Sequence, residues 1–154
     1  MARRRVILTV TAGPNEGDTV SIEEGICRLF GRHLSENETA LIDRDGNRLL
    51  DANASAILTK HLKERAPLTG ATAPADFSAT AFERGADAIF ADDSISRAHA
   101  MLFCDGKNVG IIDLASTNGT FVNNERVGST LVQDSDLIAL GNSEMTVRVR
   151  SINE

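Results

Sequence analysis

The sequence predicts an all-β domain, built as an antiparallel sandwich or barrel. Short runs of β-branched and apolar residues recur along the 154-residue chain, and clusters of Gly, Asn, Asp and Ser separate them. Many short strands with turn signals about every ten residues are typical of these two architectures. The length favours one domain with a substantial core. Because the chain has no Trp, no Tyr and only 6 Phe, that core must be mainly aliphatic.

Three strands are predicted in the first part of the chain. Residues 6–11 are apolar and β-branched, and the turn-forming sequence GPNEGD follows them. Val20 and Ile22 alternate with polar neighbours, which predicts a half-buried second strand. Residues 26–30 are predicted as the third strand, which leads directly into a Gly-Arg dipeptide.

The C-terminal part of the chain has the same pattern. Residues 98–104 and 109–114 predict a hairpin around the turn DGKN. The loop STNGT and the turn NNER flank a short strand at 121–122. Two further strands, 137–140 and 145–149, are joined by the turn GNSE.

Residues 34–83 interrupt this pattern, and we interpret them as an insertion within a single domain of residues 1–154. The sequence ALIDRDGNRLL predicts a hairpin with its turn at Asp45-Gly46. DANASAILTKHLKER predicts an amphipathic helix with Asp51 or Asn53 near its N-cap. APLTGATAPADFSAT is rich in small residues and Thr, which indicates an irregular linker. One face of the predicted helix carries Ala54, Ile57, Leu58, His61 and Leu62.

Composition and charge argue against several classes of function. The net charge of −6 disfavours nonspecific binding to nucleic acid or to an anionic membrane. No segment approaches the roughly 18–20 apolar residues of a membrane span, and no apolar run of the kind a secretion signal needs follows the basic start. A cytoplasmic location is therefore the default expectation.

No metal or cofactor site is expected from the sequence. His33, His61 and His99 show no metal-type spacing with each other or with Cys27 and Cys104, which are predicted to be buried free thiols. The sequence DRDGN resembles the start of a calcium loop, but its glycine is fourth where that loop requires it sixth. A tight hairpin turn is the better interpretation.

Two polar clusters in the C-terminal half suggest a functional site. SISRAHA brings Ser96, Arg97 and His99 together, and STNGT adds Thr117 and Asn118. A Ser–His hydrolase is one hypothesis, but residues three apart in an extended chain point to opposite faces, and no Gly-x-Ser-x-Gly elbow is present. A pocket for an anion is favoured, because hydroxyl, amide and guanidinium groups on loops can converge as donors to a phosphate.

The ordered motifs resemble those of forkhead-associated (FHA) domains. The resemblance is carried by the Gly-Arg dipeptide at 31–32, then SISRAHA, then DLASTNGTFVN, with NNERV and DLIALG similar to the usual end of that family. It covers about residues 6–32 and 84–150. It implies an FHA/SMAD-like β-sandwich of about eleven antiparallel strands that binds phosphothreonine without catalysis, with a small mixed α/β insertion.

Carried over residue by residue, the resemblance implies a set of binding roles. Arg32 would be the main phosphate ligand. Ser96 would donate its hydroxyl group to the phosphate, with Arg97 beside it and Thr117 completing the pocket. Asn118 would hold the main chain of the bound peptide.

The resemblance also implies supporting residues and leaves one assignment open. His99 would brace the binding loops through hydrogen bonds of its ring, while Gly31 and Gly119 would serve backbone geometry. Arg84, in FERGAD, is a rival for the role of phosphate arginine. Arg32 is preferred, because the strand–turn–strand sequence that precedes it reproduces the family's approach to Gly-Arg.

The sequence therefore predicts a noncatalytic module that binds phosphothreonine-containing partner proteins in Ser/Thr-kinase signalling. The alternative is a phosphate-independent scaffold or dimerisation module that uses the FHA frame and its insertion. A phosphorylated threonine of the insertion could also occupy the pocket of its own or a neighbouring molecule. The candidate threonines are Thr39, Thr59, Thr69, Thr72 and Thr80.

Overall fold

The computed structural model describes residues 2–62, 82–105 and 108–153 of the chain. Within these ranges the protein has twelve strands and one helix. The predicted linker APLTGATAPADFSAT, with Thr69, Thr72 and Thr80, lies outside the described residues. The strands are β1 (Ala2–Ala12), β2 (Thr19–Glu23), β3 (Ile26–Arg32), β4 (Glu83–Arg84), β5 (Ala88–Phe90), β6 (Ala100–Cys104), β7 (Val109–Asp113), β8 (Thr120–Val122), β9 (Glu125–Val127), β10 (Ser129–Val132), β11 (Leu137–Leu140) and β12 (Ser143–Asn153), and the helix is α1 (Ala52–Leu62).

Two sheets of six strands each form the β-sandwich, which confirms the predicted fold class. One sheet has the order β2-β1-β12-β11-β8-β9, and the other has the order β10-β7-β6-β3-β4, with β5 also paired to β3. Side chains from both sheets share one aliphatic core, with Leu8 and Val147 from the first sheet and Leu102 and Ile111 from the second. Burial of this apolar surface is the main force that holds the sheets together.

Strands β1 and β12 are longer than the sequence predicts. They pair antiparallel along their length, from Ala2 opposite Asn153 to Ala12 opposite Glu144. The pattern of apolar residues marks only the part of each strand that faces the core. The ends extend further because backbone pairing requires no apolar side chain.

Strands β4 and β5 form a parallel edge of the second sheet beside β3. Strand β4 pairs with its start and β5 with its end, both in parallel orientation. A parallel pair needs a crossover connection of about a dozen residues or more. The residues between β3 and β4 make that crossover, and they include helix α1 and the predicted hairpin turn.

The hairpin turn, residues 40–50, and the helix follow the predictions from the sequence. A bridge joins Ile42 to Arg48, and Gly46 has a φ of 85° at the turn. Of the two candidate caps, Asp51 makes the capping contact: its Oδ1 accepts a 2.8 Å hydrogen bond from the N–H of Ala54.

Helix α1 covers the outer face of the second sheet. Leu58 and Leu62 are fully buried in a second apolar cluster, which also contains Met101 and Phe103. Strand β6 is therefore buried on both faces along all five of its residues. Among the described residues, no helix is long and apolar enough to cross a membrane.

Replacement of Leu58 by Ala should measure how firmly the helix is packed. The side chain has 0% exposure, so we expect the free energy of unfolding to fall by about 2–5 kcal/mol. Leu131→Ala on β10 is the control, because that side chain is 41% exposed and should change the free energy by less than about 1 kcal/mol. Urea unfolding of both variants gives the two values, and equal small losses would show that α1 is not packed as described.

Candidate functional site

Four of the five residues assigned to binding line a single cavity of about 480 Å³. They are Arg32 at the end of β3, Ser96 and Arg97 in the loop before β6, and Thr117 in the loop before β8. These three parts of the chain are far apart in sequence. They meet because the end of β3 and the loops before β6 and β8 lie at the same end of the sandwich. The fifth residue, Asn118, adjoins Thr117 in the same loop.

The guanidinium of Arg32 is held at the rim of this cavity by backbone oxygens and a carboxylate. Its Nε donates to the carbonyl of Ile95 at 3.0 Å, and its Nη1 donates to the carbonyl of His33 at 3.0 Å. Both terminal nitrogens donate to Glu38, at 2.7 and 3.0 Å. The hydrogen bond with Glu38 raises the pKa of Arg32, so the guanidinium stays positively charged.

His99 joins the two loops that carry the other binding residues. The N–H of Ser96 donates to Nδ1 of the ring at 3.0 Å, so Nδ1 is unprotonated and Nε2 carries the hydrogen. Nε2 then donates to the carbonyl of Gly119 at 2.9 Å. The side chain has 0% exposure, and burial is the main reason that its pKa is lowered. A neutral ring is therefore the stable form in this position.

The hydroxyl of Ser96 faces the second loop and not the imidazole. Its Oγ accepts a 3.0 Å hydrogen bond from the N–H of Thr117. The ring of His99 is bonded to the backbone of Ser96, as described above, so the two side chains do not form a nucleophile–base pair. This geometry disfavours the hydrolase hypothesis. It leaves the Ser96 hydroxyl hydrogen available to an anion in the cavity.

Asp113 shapes the loop between β7 and β8, and its role was not recognised from the sequence. Its carboxylate accepts from the hydroxyls of Ser116 and Thr120, at 2.5 and 2.7 Å, and from the N–H of Ser116 at 3.1 Å. Ser116 in turn accepts from the N–H of Gly119, which has a φ of 90°. The Asp followed by Ser and Thr in DLASTNGT was the available signal, since such residues bond to nearby backbone.

Asn118 already has one hydrogen-bond partner within the chain. Its Nδ2 donates to the carbonyl of Ser94 at 2.8 Å. The contact fastens the STNGT loop to the loop before β6. The second N–H and the oxygen of the amide group have no part in this bond, so either could contact a bound peptide.

Gly31 allows the loop that carries Arg97 to approach strand β3. A Cβ at this position would lie 2.1 Å from the carbonyl oxygen of Arg97, which is far inside van der Waals contact. Arg48 of the hairpin turn links the same two parts of the chain. Its Nη1 donates to the carbonyls of Arg32 at 2.5 Å and Arg97 at 2.8 Å. Nothing in the local sequence marked Arg48 for this role.

Arg84 lies away from the cavity. It belongs to strand β4, where it pairs with Cys27 near the start of β3, whereas Arg32 is at the end of that strand. Its Nη2 donates to Asp87 at 2.9 Å, and its side chain is only 11% exposed. Asp87 also accepts from the N–H of Arg48, so this group of residues fastens the hairpin turn to the sheet.

The titration of His99 should be visible in the stability of the protein. As pH falls below the ordinary His pKa of about 6.5, the unfolded chain binds a proton that the folded chain does not, so unfolding becomes more favourable. We expect the free energy of unfolding to drop by up to about 1.4 kcal/mol per pH unit between pH 6.5 and the lowered pKa of the folded state. His99→Gln should be less stable but lack this slope in urea unfolding between pH 7 and 5.5.

An NMR titration of the wild-type imidazole tests the same point without a variant. The ring should stay neutral, with the hydrogen on Nε2, at a pH where exposed histidine is protonated. Protonation of His99 at its ordinary pKa would contradict the prediction.

Comparison with known proteins shows similarity to FHA domains over part of the chain. Residues 82–141 match the family model of the FHA domain. The FHA domain-containing protein FhaA of Mycobacterium tuberculosis is 46% identical over 68 residues, which are 43% of this chain and 13% of that protein. The oxoglutarate dehydrogenase inhibitor of Corynebacterium jeikeium is 36% identical over 80 residues, which are 51% of this chain and 56% of that protein. The chain thus spans about half or less of the length of these relatives.

Solved structures agree with this result. The FHA structure of Rv0020c is 25% identical, with a TM-score of 0.54 over 96% of this chain and 94% of that one. The FhaA FHA domain in complex with the intracellular domain of Rv3910 is 24% identical, with a TM-score of 0.51 over 93% of this chain and 99% of that one, which shows a shared fold. The family match, the sandwich and the order of the motifs agree: residues 82–141 match the FHA domain, and the fold is that of solved FHA domain structures.

Proposed function

We propose that this protein is a noncatalytic reader of phosphothreonine in partner proteins of Ser/Thr-kinase signalling. FHA domains are interaction modules, and structures of relatives include an M. tuberculosis EmbR complex with a phosphopeptide. The observation that carries the proposal for this chain is the convergence of Arg32, Ser96, Arg97 and Thr117 on one cavity. These residues supply guanidinium, hydroxyl and backbone N–H donors, which are the groups that hold a phosphate.

Charge supports a dianionic ligand. Three guanidinium groups, those of Arg32, Arg48 and Arg97, line the cavity of a chain whose net charge is −6. A phosphate carries up to two negative charges near neutral pH and has a second pKa of about 6. Binding should therefore weaken below about pH 6, and it should weaken in part with added salt.

The role of Arg32 can be tested by calorimetric titration with a phosphothreonine peptide pool. Arg32→Ala should lower the affinity at least tenfold, because a hydrogen bond to a charged group contributes about 1.5–3 kcal/mol and about 1.4 kcal/mol is a factor of ten. Arg44→Ala is the matched control, since Arg44 is exposed in the turn of the hairpin. Arg84→Ala tests the rival assignment, and it should retain binding if the variant is folded.

Peptide pools with phosphoserine or with unmodified Thr complete this experiment. Binding of the phosphothreonine pool alone, lost in Arg32→Ala only, is the expected result. Loss in Arg84→Ala with Arg32→Ala unaffected would mean that the phosphate arginine is misassigned. Absence of binding by the folded wild-type protein in every pool would contradict the reader function.

A phosphate-independent scaffold remains the second candidate, and one observation favours it. Leu41, Ile42 and Leu49 of the hairpin turn are large apolar side chains with exposures of 77%, 60% and 54%. Exposed apolar clusters of this kind often mark protein interfaces. Sedimentation of wild type and Arg32→Ala separates the candidates, because the variant should lose the reader activity and keep self-association or scaffolding.

We also propose that residues 34–83 are an insertion that shapes the binding site. In the part that the structure describes, the hairpin turn contributes Leu41, Arg48 and Leu49 to the wall of the cavity, and α1 contributes Ala54. A peptide anchored at Arg32 would therefore run along a surface that belongs to the insertion. The insertion would influence which residues near the phosphothreonine are accepted.

Phosphorylation of the insertion could fill the site from within the same chain. Of the candidate threonines that the structure describes, Thr39 is exposed and lines the cavity, whereas Thr59 lies on helix α1. Stoichiometric kinase phosphorylation of Thr39, checked by intact mass, should weaken binding of an external phosphothreonine peptide. Thr39→Ala should remove that loss. Unchanged binding after full phosphorylation of Thr39 would contradict the prediction.

A further inference from the structure

The carboxylate of Glu38 occupies the place at Arg32 where a phosphate is expected. Its Oε1 is 2.7 Å from Nη1 of Arg32, and its Oε2 is 3.0 Å from Nη2. This bidentate arrangement is also the one in which a guanidinium group binds two phosphate oxygens. Arg97, the second arginine of the candidate site, approaches the same carboxylate, with Nε 3.7 Å from Oε2.

A short turn holds Glu38 in this position. The N–H of Glu38 donates to the carbonyl of Ser35 at 3.1 Å, and the N–H of Ser35 donates to Oε1 of Glu38 at 2.9 Å. These two hydrogen bonds between Ser35 and Glu38 close the turn and direct the carboxylate towards Arg32. The hydrogen bond from Arg32 is the main reason that the pKa of Glu38 lies well below its ordinary value.

We propose that Glu38 is an internal ligand of the phosphate site, which a phosphopeptide must displace before it can bind Arg32. The proposal rests on the proposed phosphothreonine function. It adds that Arg32 is free in only a fraction of the molecules. The measured dissociation constant is then the intrinsic constant divided by that fraction.

A phosphate can displace the carboxylate because it makes more contacts. A carboxylate brings one negative charge and two oxygens to the two arginines. A phosphate on threonine brings up to two charges and three acceptor oxygens, and it can reach the Ser96 hydroxyl as well. Singly charged ligands have no such advantage over Glu38. The internal ligand lowers the affinity for every external ligand by the same factor. Acidic peptides without phosphate bind more weakly to begin with, so they are the first to lose measurable binding.

The opposite role for Glu38 makes a different prediction. If the carboxylate only orients Arg32 for an incoming phosphate, its removal would loosen the guanidinium and weaken binding. Displacement predicts that its removal strengthens binding. The direction of one affinity change therefore distinguishes a competitor from a positioning residue.

The test compares wild type with Glu38→Gln and Glu36→Gln, using a fluorescent phosphothreonine peptide selected from the pool. Both variants lose one negative charge, but Glu36 is an exposed residue two positions earlier. We expect Glu38→Gln to bind about three- to tenfold more tightly, which corresponds to an Arg32 that is free in about a tenth to a third of wild-type molecules. Glu36→Gln should stay within about 1.5-fold of wild type, because an exposed charge is screened by salt.

Two further readouts identify competition. The gain in Glu38→Gln should be the same factor for a phosphothreonine peptide and for its weaker phosphoserine counterpart. The factor should also persist between pH 7.5 and 5.5, because Glu38 stays ionised in this range while the phosphate titrates.

Each result has a definite meaning. Unchanged or weaker binding by Glu38→Gln, with binding intact in wild type, would overturn the proposal and leave the reader function standing. An equal gain in Glu36→Gln would assign the effect to net charge and would also overturn it. If none of the three proteins binds, the reader function and the internal ligand both fail.

Discussion

The candidate site depends on the buried imidazole of His99. One ring nitrogen accepts from the backbone of Ser96 and the other donates to the backbone of Gly119, so a single side chain sets the distance between the two loops. The neutral ring satisfies both backbone groups in a place that water does not reach, whereas a charged ring would lack an acceptor at Nδ1. The Ser96 hydroxyl and the Thr117 backbone meet because this bridge holds their loops together.

Residues between β3 and β4 contribute both to the core and to the candidate site. Helix α1 buries the outer face of the second sheet, and Arg48 donates hydrogen bonds to the carbonyls of Arg32 and Arg97. The parallel pairing at β3 requires a long crossover, and residues of that crossover form part of the cavity wall. The same segment therefore contributes both to the packing of the second sheet and to the wall of the cavity.

The positive charges of the cavity contrast with the net negative charge of the chain. The chain is acidic as a whole, yet three arginines surround the cavity, and one carboxylate already faces two of them. The contacts that hold Glu38 would also hold a phosphate, because guanidinium groups bind carboxylate and phosphate with the same fork of donors. Under the proposed function, the affinity for a phosphate would reflect the difference between these two ligands and not the strength of either one alone.

The sequence by itself determined the all-β class, most strands, the helix and the ordered motifs that indicate the family. These features are local: alternation, turn residues and short motifs report the conformation of neighbouring residues. Only the tertiary structure decided that Arg32 and not Arg84 lines the cavity, that Asn118 is already bonded to Ser94, and that Glu38 and Arg48 reach the site. Arg48 and Arg97 are 49 positions apart, and contacts at that separation depend on how the sheets and the crossover close around each other, which no local pattern encodes.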